Sequence, residues 1–269
     1  MKGWKSLAAM AALAVVAAAC GSDSPTAPRT AQKLDVDALL GQMAAGDFTQ
    51  NSSAQAALSL PTASGLSRPS AASCSFDSGT QGFACAPVDA GGLHFTLTYW
   101  LYDAAGQALT TLDAAKTASI RTVSDISGTL APSSGTTFVN STISAHSDMT
   151  LSGLLTGTHT LNGTSNSHYD MRFDGTTQAH TVMDDTSHTA NVIVPSTPSN
   201  GGYWPSAGTI TSDTHFGTTS GSLPPMSFAT HSVLTFQGSG KMTIALTLDG
   251  VTSTCTIDLS SKGSMSCTN

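Results

Sequence analysis

From Cys74 onward, apolar and polar residues alternate along the chain with a period of two. In LHFTLTYWLY (93–102), every second residue from Leu93 to Leu101 is apolar, and KMTIALTL (241–248) repeats this pattern from Met242 to Leu248. VTSTCTIDL (251–259) continues it with Val251, Cys255, Ile257 and Leu259. Such alternation predicts β-strands with one face on a core and the other in solvent.

Turn-forming stretches such as PSSGT, NGTSN, FDGTT and LDG separate these runs at short intervals. Counting the runs gives roughly twelve to fifteen strands. Parallel strands need crossovers of about a dozen residues or more, and none of helical length is evident between the runs. The sequence therefore predicts a mainly β fold in residues 74–269, an antiparallel meander closed as a barrel or folded as a sandwich.

One short helix is expected before the β region. Val36, Leu39, Leu40 and Met43 recur at the spacing of one helical face, and Gly46 is placed to end the helix. The rest of residues 34–73 is rich in serine and alanine and gives no clear periodicity.

The N-terminus has the pattern of an export signal. Lys2 and Lys5 precede an uncharged run over residues 6–19, which is shorter than the roughly 20 apolar residues of a membrane-spanning helix. The run ends in Ala17-Ala18-Ala19-Cys20, which resembles the lipobox of bacterial lipoproteins, although that family prefers leucine where Ala17 stands. The alternative is an ordinary cleaved signal peptide followed by an incidental cysteine.

The lipoprotein resemblance implies a membrane-anchored protein of the cell envelope. Residues 1–19 would be the signal peptide, and Cys20 would become the first mature residue and carry palmitate and other acyl chains. Gly21, rather than an aspartate, implies export to the outer membrane in a Gram-negative cell. Residues 20–33 contain Pro25 and Pro28 without apolar periodicity, so they are expected to form a flexible tether.

Composition narrows the possible chemistry. All seventeen acidic residues are aspartates, and the formal net charge of −7 disfavours nucleic acid as a partner. Without glutamate, the chain can contain neither the HExxH helix of zinc proteases nor the glutamate acid of common glycosidases. It also lacks a GxSxG elbow, a phosphate-binding GxxxxGK[ST] loop and a CxxC pair. We expect no cofactor, and catalysis is less expected than binding.

Four cysteines follow Cys20, which in an exported chain suggests two disulfides. Folding residues 74–85 about Gly79-Thr80 places Cys74 opposite Cys85, and folding residues 255–267 about Ser261 places Cys255 opposite Cys267. Each fold also pairs apolar residues on the cysteine face. We predict Cys74–Cys85 and Cys255–Cys267; the alternative joins one hairpin to the other.

The pattern His-x-Asp-Met occurs twice, at 146–149 and 168–171. In a strand, the histidine and aspartate of each motif share a face, and imidazole with carboxylate suits zinc, copper or nickel. The candidate metal ligands are His146, Asp148, His168 and Asp170, followed along the chain by His180, Asp184, Asp185 and His188. The favoured alternative is that all of them are polar residues on the solvated side of a sheet.

Three functions remain after these exclusions. The first is a non-catalytic envelope lipoprotein that binds a partner, such as an envelope protein or a glycan, or that stabilises the envelope. The second is a carrier that holds an apolar ligand inside a β-barrel. The third is a metal-binding protein or hydrolase built on the His/Asp residues.

Overall fold

The structure is a computed structural model. It describes residues 74–130, 138–173, 179–195, 205–220, 223–238, 240–258 and 264–268. The expected signal peptide, Cys20, the tether, and the short helix and Ser/Ala-rich segment of residues 34–73 lie outside this part of the chain, so they stay predictions. No helix formed by the described residues is long and apolar enough to cross a membrane.

The described residues form fourteen β-strands. Their bounds are β1 Cys74–Asp77, β2 Gly82–Cys85, β3 Val88–Ala90, β4 Leu93–Tyr102, β5 Ala108–Leu109, β6 Ser119–Leu130, β7 Phe138–Ser152, β8 Thr158–Phe173, β9 Ala179–Pro195, β10 Ala207–Ser220, β11 Leu223–Gly238, β12 Lys241–Leu248, β13 Val251–Asp258 and β14 Ser264–Thr268.

All the strands belong to one antiparallel sheet in the order β1-β2-β4-β6-β7-β8-β9-β10-β11-β12-β13-β14. The short strands β3 and β5 both pair with β4. From β6 to β14, every strand therefore lies beside its neighbours in the chain, which is the arrangement of a meander. The predicted mainly β, antiparallel meander is confirmed.

The closed barrel among the predicted forms is wrong for the described strands. Strand pairing continues from β1 to β14, and the end strands β1 and β14 do not pair with each other. No break in the pairing separates the strands into two sheets. The physical reason is that alternation of residues fixes which face each side chain takes, whereas closure depends on whether the two end strands can pair. Here those end strands have only four and five residues, and so few hydrogen bonds to offer.

The sheet has two chemically different faces. We call inner the face that carries Leu97, Met149 and Met183, which are 6%, 0% and 5% exposed. The opposite, outer face carries mostly threonine, serine, histidine and aspartate. In β4 the predicted apolar positions are the inner ones, and Leu101 at the end of the strand is fully buried.

The two cysteine hairpins have the predicted register. Cys74 lies opposite Cys85 with Phe76 opposite Phe83, and Cys255 lies opposite Cys267. The sulfur atoms of both pairs are within bonding distance. In the chain-entropy model, each disulfide stabilises the folded protein by about 3 kcal/mol, because it closes a loop and so restricts the unfolded chain.

Candidate functional site

The histidines of this protein concentrate on the outer face of the sheet. Of eight histidines in the chain, only His159 takes an inner-face position. The other seven lie at outer-face positions: His94, His146, His168, His180, His188, His215 and His231. A polar sheet face was the favoured interpretation of the histidine motifs, and these positions agree with it.

Five of these histidines form close pairs with aspartates. His94, His146, His168 and His231 each approach a carboxylate through Nδ1 at 2.7 Å, and His180 approaches Asp170 through Nε2 at 2.9 Å. The carboxylates facing the first four are Asp89, Asp125, Asp184 and Asp213, in that order. Adjacent strands supply the two partners of every pair.

This pairing decides which imidazole atom is available to a ligand. When a carboxylate accepts a hydrogen bond from Nδ1–H of a neutral imidazole, Nε2 keeps its lone pair and the ring is held in one orientation. In the four Nδ1 pairs the histidine side chains are 43–48% exposed. The outer face therefore presents oriented Nε2 atoms that can accept a hydrogen bond or bind a metal ion.

The four predicted metal ligands share the outer face but do not form one cluster. His146 pairs with Asp125, and Asp148 is bound by Arg121 at 2.8 and 2.6 Å. His168 and Asp170 likewise pair with Asp184 and His180 on the neighbouring strand. Among the described residues, no three histidines, cysteines or acidic residues are placed to hold one metal ion. Each of these four side chains pairs instead with a residue on an adjacent strand.

The candidates that come after the four predicted ligands in the sequence lie on both faces of the sheet. Asp184 is on the outer face, whereas Asp185 points to the inner face and is 5% exposed. Thr214 donates a hydrogen bond to Asp185 Oδ1 at 2.5 Å, and Oδ2 has no hydrogen-bond partner among the described residues. Burial raises the pKa of the Asp185 carboxyl. Asp185 therefore cannot join the outer-face residues in any one site.

The inner face around Asp185 is itself polar. Serines occupy one register position on six consecutive strands, and we call this set the serine row: Ser124, Ser147, Ser165, Ser187, Ser212 and Ser232. Ser165 and Ser187 are 2% and 1% exposed, and their hydroxyls are 2.7 Å apart. An apolar ligand carried against this face would meet a band of hydroxyl groups.

Two outer-face rows contain the residue types of a catalytic triad. Asp184, His168 and Ser144 lie opposite one another on β9, β8 and β7, and Asp89, His94 and Ser127 do so on β3, β4 and β6. Acyl transfer also requires hydrogen-bond donors, often backbone N–H groups, that are free to stabilise an oxyanion. Central strands use their N–H groups in the ladders of the sheet. The ladders therefore leave the backbone N–H groups of these central strands unavailable to an oxyanion.

A hollow of about 270 Å³ lies on the outer face beside the middle of β10 and β11 and the last residues of β12, and we call it the β10–β12 hollow. The side chains of Asp213, His215, His231 and Asp249 line it, together with Ala229, Thr230, Thr247 and Gly250. None of these residues is among the candidate metal ligands predicted from the sequence. A sequence signal was present, because Phe216 in β10 and Leu234 in β11 mark the apolar parity of each strand, and His215 and His231 stand at the other parity. Strand register was needed to bring the two histidines together.

A second hollow, of about 310 Å³, lies where β9 and β11 begin and β10 ends. It forms where Gly217 carries no side chain, and His180, Val182, Thr219, Pro225 and Met226 contribute to its walls. Met226 is 38% exposed. Its walls offer a single histidine as a chemically reactive group.

The outer face carries more acidic than basic groups. Its described strands hold eight aspartates at outer positions: Asp77, Asp89, Asp125, Asp148, Asp170, Asp184, Asp213 and Asp258. The basic residues at such positions are Arg121, Arg172 and Lys241. Arg121 also lies 5.1 Å from the centre of the Trp100 ring. The Arg121 guanidinium lowers the pKa of Asp148.

No protein-family model, no curated protein and no solved structure matches this chain.

Proposed function

We propose that this protein is a cell-envelope lipoprotein, anchored through Cys20, that binds a macromolecular partner through the outer face of its sheet without catalysing a reaction. The observation that carries the proposal is the distribution of the outer-face polar groups. Catalytic groups must converge within hydrogen-bonding reach of one reacting atom. Here the histidines and aspartates pair two by two across strands β3 to β11, which suits contact with a broad surface.

The charge of the outer face limits the chemical class of partner that it can bind. Because acidic groups outnumber basic groups at outer positions, anionic polymers are disfavoured and a neutral glycan or a basic protein surface is favoured. The lipobox-like segment supports a location at the envelope, where both kinds of partner occur. A transport role for an apolar ligand is less well supported, since buried serines cross the inner face.

The anchor is tested by fractionation and mass spectrometry. We expect the wild-type protein to sediment with membranes with an acylated Cys20, and Cys20→Ala to remain unprocessed or to leave the membrane fraction. A Cys20→Ala protein that is processed and sediments as the wild type does would contradict the lipoprotein assignment.

Binding is tested separately with purified Cys20→Ala protein and isolated envelope material, either cell-wall glycan or membrane vesicles. We expect co-sedimentation with one of them that is weakened by combining His146→Ala with His168→Ala. The matched control is His159→Ala, which removes the inner-face histidine. Equal binding by all three proteins, or no binding to either material, would exclude the outer face as the interaction surface.

A further inference from the structure

The two disulfide hairpins lie at opposite ends of the sheet and differ in how exposed their cysteines are. We propose that Cys255–Cys267 is a site of thiol–disulfide exchange, where a dithiol reductant opens the bridge in the folded protein and releases β14 from the edge of the sheet. Cys74–Cys85 stays closed under the same conditions. This proposal depends neither on the lipid anchor nor on the binding role of the outer face.

The Cys255–Cys267 bridge is accessible because of its position in the sheet. Cys267 is exposed, and Cys255 opposite it is half-buried on the inner face. Among the described strands, β14 pairs only with β13, so no described strand lies beyond Cys267. A thiolate must reach one sulfur of a disulfide in order to attack it. Cys267 therefore offers the sulfur that a reductant can approach from solvent.

The Cys74–Cys85 bridge is better protected by its neighbours. Cys85 is 8% exposed and Cys74 is half-buried. The strand that carries Cys85, β2, lies between β1 and β4. On the same face of β2, the ring of Phe83 stacks on Tyr99 with 4.8 Å between centroids and meets Phe76 edge-on at 5.4 Å. These packed rings oppose the local opening that a reductant would need to reach the buried sulfur.

The exchange proceeds in two steps. First, one thiolate of the dithiol attacks Cys267 Sγ, forms a mixed disulfide with it and displaces the sulfur of Cys255, which takes up a proton. The second thiolate of the same reductant then attacks its own sulfur in the mixed disulfide and displaces Cys267, which also takes up a proton. The protein bridge gains two electrons and two protons, and the dithiol, which supplies them, becomes a disulfide.

Opening this bridge weakens the attachment of β14 to the sheet. The strand has five residues, and β13 is its one neighbour among the described strands. The closed disulfide limits how far the two strands can separate, because it joins them covalently. Without it, a five-residue edge strand depends on its backbone hydrogen bonds alone and can separate locally from the sheet. The redox state of the bridge therefore decides whether β14 covers the edge of β13.

Dithiothreitol tests the proposal on the folded full-length chain carrying Cys20→Ala, in which the remaining cysteines are those of the two bridges. Alkylation with iodoacetamide at increasing times, followed by peptide mass spectrometry, measures the opening rate of each bridge. We expect Cys255 and Cys267 to be alkylated at least about tenfold faster than the other two cysteines, because exchange depends on access to the sulfur. In urea that unfolds the chain, the two rates should become similar, since the bridged cysteines are 11 and 12 positions apart.

Hydrogen exchange measures the release of β14. Reduction of Cys255–Cys267, or the combined substitutions Cys255→Ser and Cys267→Ser, should lower the protection of residues 264–268 by about tenfold. The matched control combines Cys74→Ser with Cys85→Ser and should keep the protection that the parent protein has there. If either variant is unfolded by circular dichroism, the parent protein before and after reduction gives the result. Equal opening rates in the folded protein, earlier opening of Cys74–Cys85, resistance of both bridges to dithiothreitol, or unchanged exchange in β14 after opening would overturn the proposal.

Discussion

The two faces of the central strands are both polar, yet they place their polar groups in opposite environments. Ser165 and Ser187 on the inner face are 2% and 1% exposed, whereas His146 and His168 on the outer face have side chains 43% exposed. Inner-face polar groups must satisfy one another, and an unpaired one costs free energy. Outer-face groups exchange partners with water at little cost. Stability therefore depends on the inner face, and ligands have access to the outer one.

The strongest contrast should come from truncating apolar side chains on the inner face. Leu101 is fully buried, so Leu101→Ala should lower the free energy of unfolding by about 2–5 kcal/mol. Thr98→Ala, on the outer face of the same strand, should cost less than about 1 kcal/mol. Urea denaturation of the two variants measures the difference. Equal losses of unfolding free energy would show that the two faces contribute equally to stability.

Two adjacent aspartates allow the inner and outer faces to be compared for the removal of a charge. Asp185 is buried and Asp184 is exposed, so Asp185→Asn should stabilise the fold at pH 7 by on the order of 1 kcal/mol, because it removes a buried charge. Asp184→Asn, the outer-face control, should not stabilise the protein.

The pH dependence of Asp185 has a defined sign. Its pKa is raised in the folded state, so the folded protein holds this proton more tightly than the unfolded chain does. Its contribution to stability is therefore complete below the unfolded value of 3.8 and is lost as pH rises through the folded pKa. The gain from Asp185→Asn, measured by denaturation at several pH values, should grow over that interval. A gain independent of pH would mean that Asp185 does not titrate there.

The smallest effect is expected from the ion pair on the outer face. Arg121 and Asp148 are 42% and 32% exposed in their side chains, so a double-mutant cycle with alanine should give a coupling of about 0.5–1 kcal/mol. Because Arg121 lowers the pKa of Asp148, this coupling is present above pH 3.8 and lost as pH falls through the lower folded value. High salt should reduce it. A coupling energy larger than the loss of unfolding free energy in Leu101→Ala would show that the outer face contributes more to stability than the inner face.

Sequence alternation predicted the strands and the apolar face well, because side-chain direction in a strand depends only on position. Hairpin symmetry likewise predicted the register of both cysteine pairs, since short turns fix which residues lie opposite one another. These features depend on neighbouring parts of the chain.

The pairing of outer-face side chains depended on register between longer strands. His146 pairs with Asp125 across β6 and β7, and the two residues are 21 positions apart. In β9 the run Asp184-Asp185-Thr186-Ser187 contains no apolar residue that would show which aspartate faces inward. A polar strand carries weak register information, so the same sequence was compatible with a metal cluster that the structure does not assemble.

The meander has a consequence for how the protein forms. From β6 to β14 each strand pairs only with the strands just before and after it in the chain, so closing each ladder requires bringing together nearby segments. Short loops cost little entropy to close. Assembly can therefore proceed hairpin by hairpin. In hydrogen exchange, protection should rise from the short strands at both edges towards β8 and β9 in the middle.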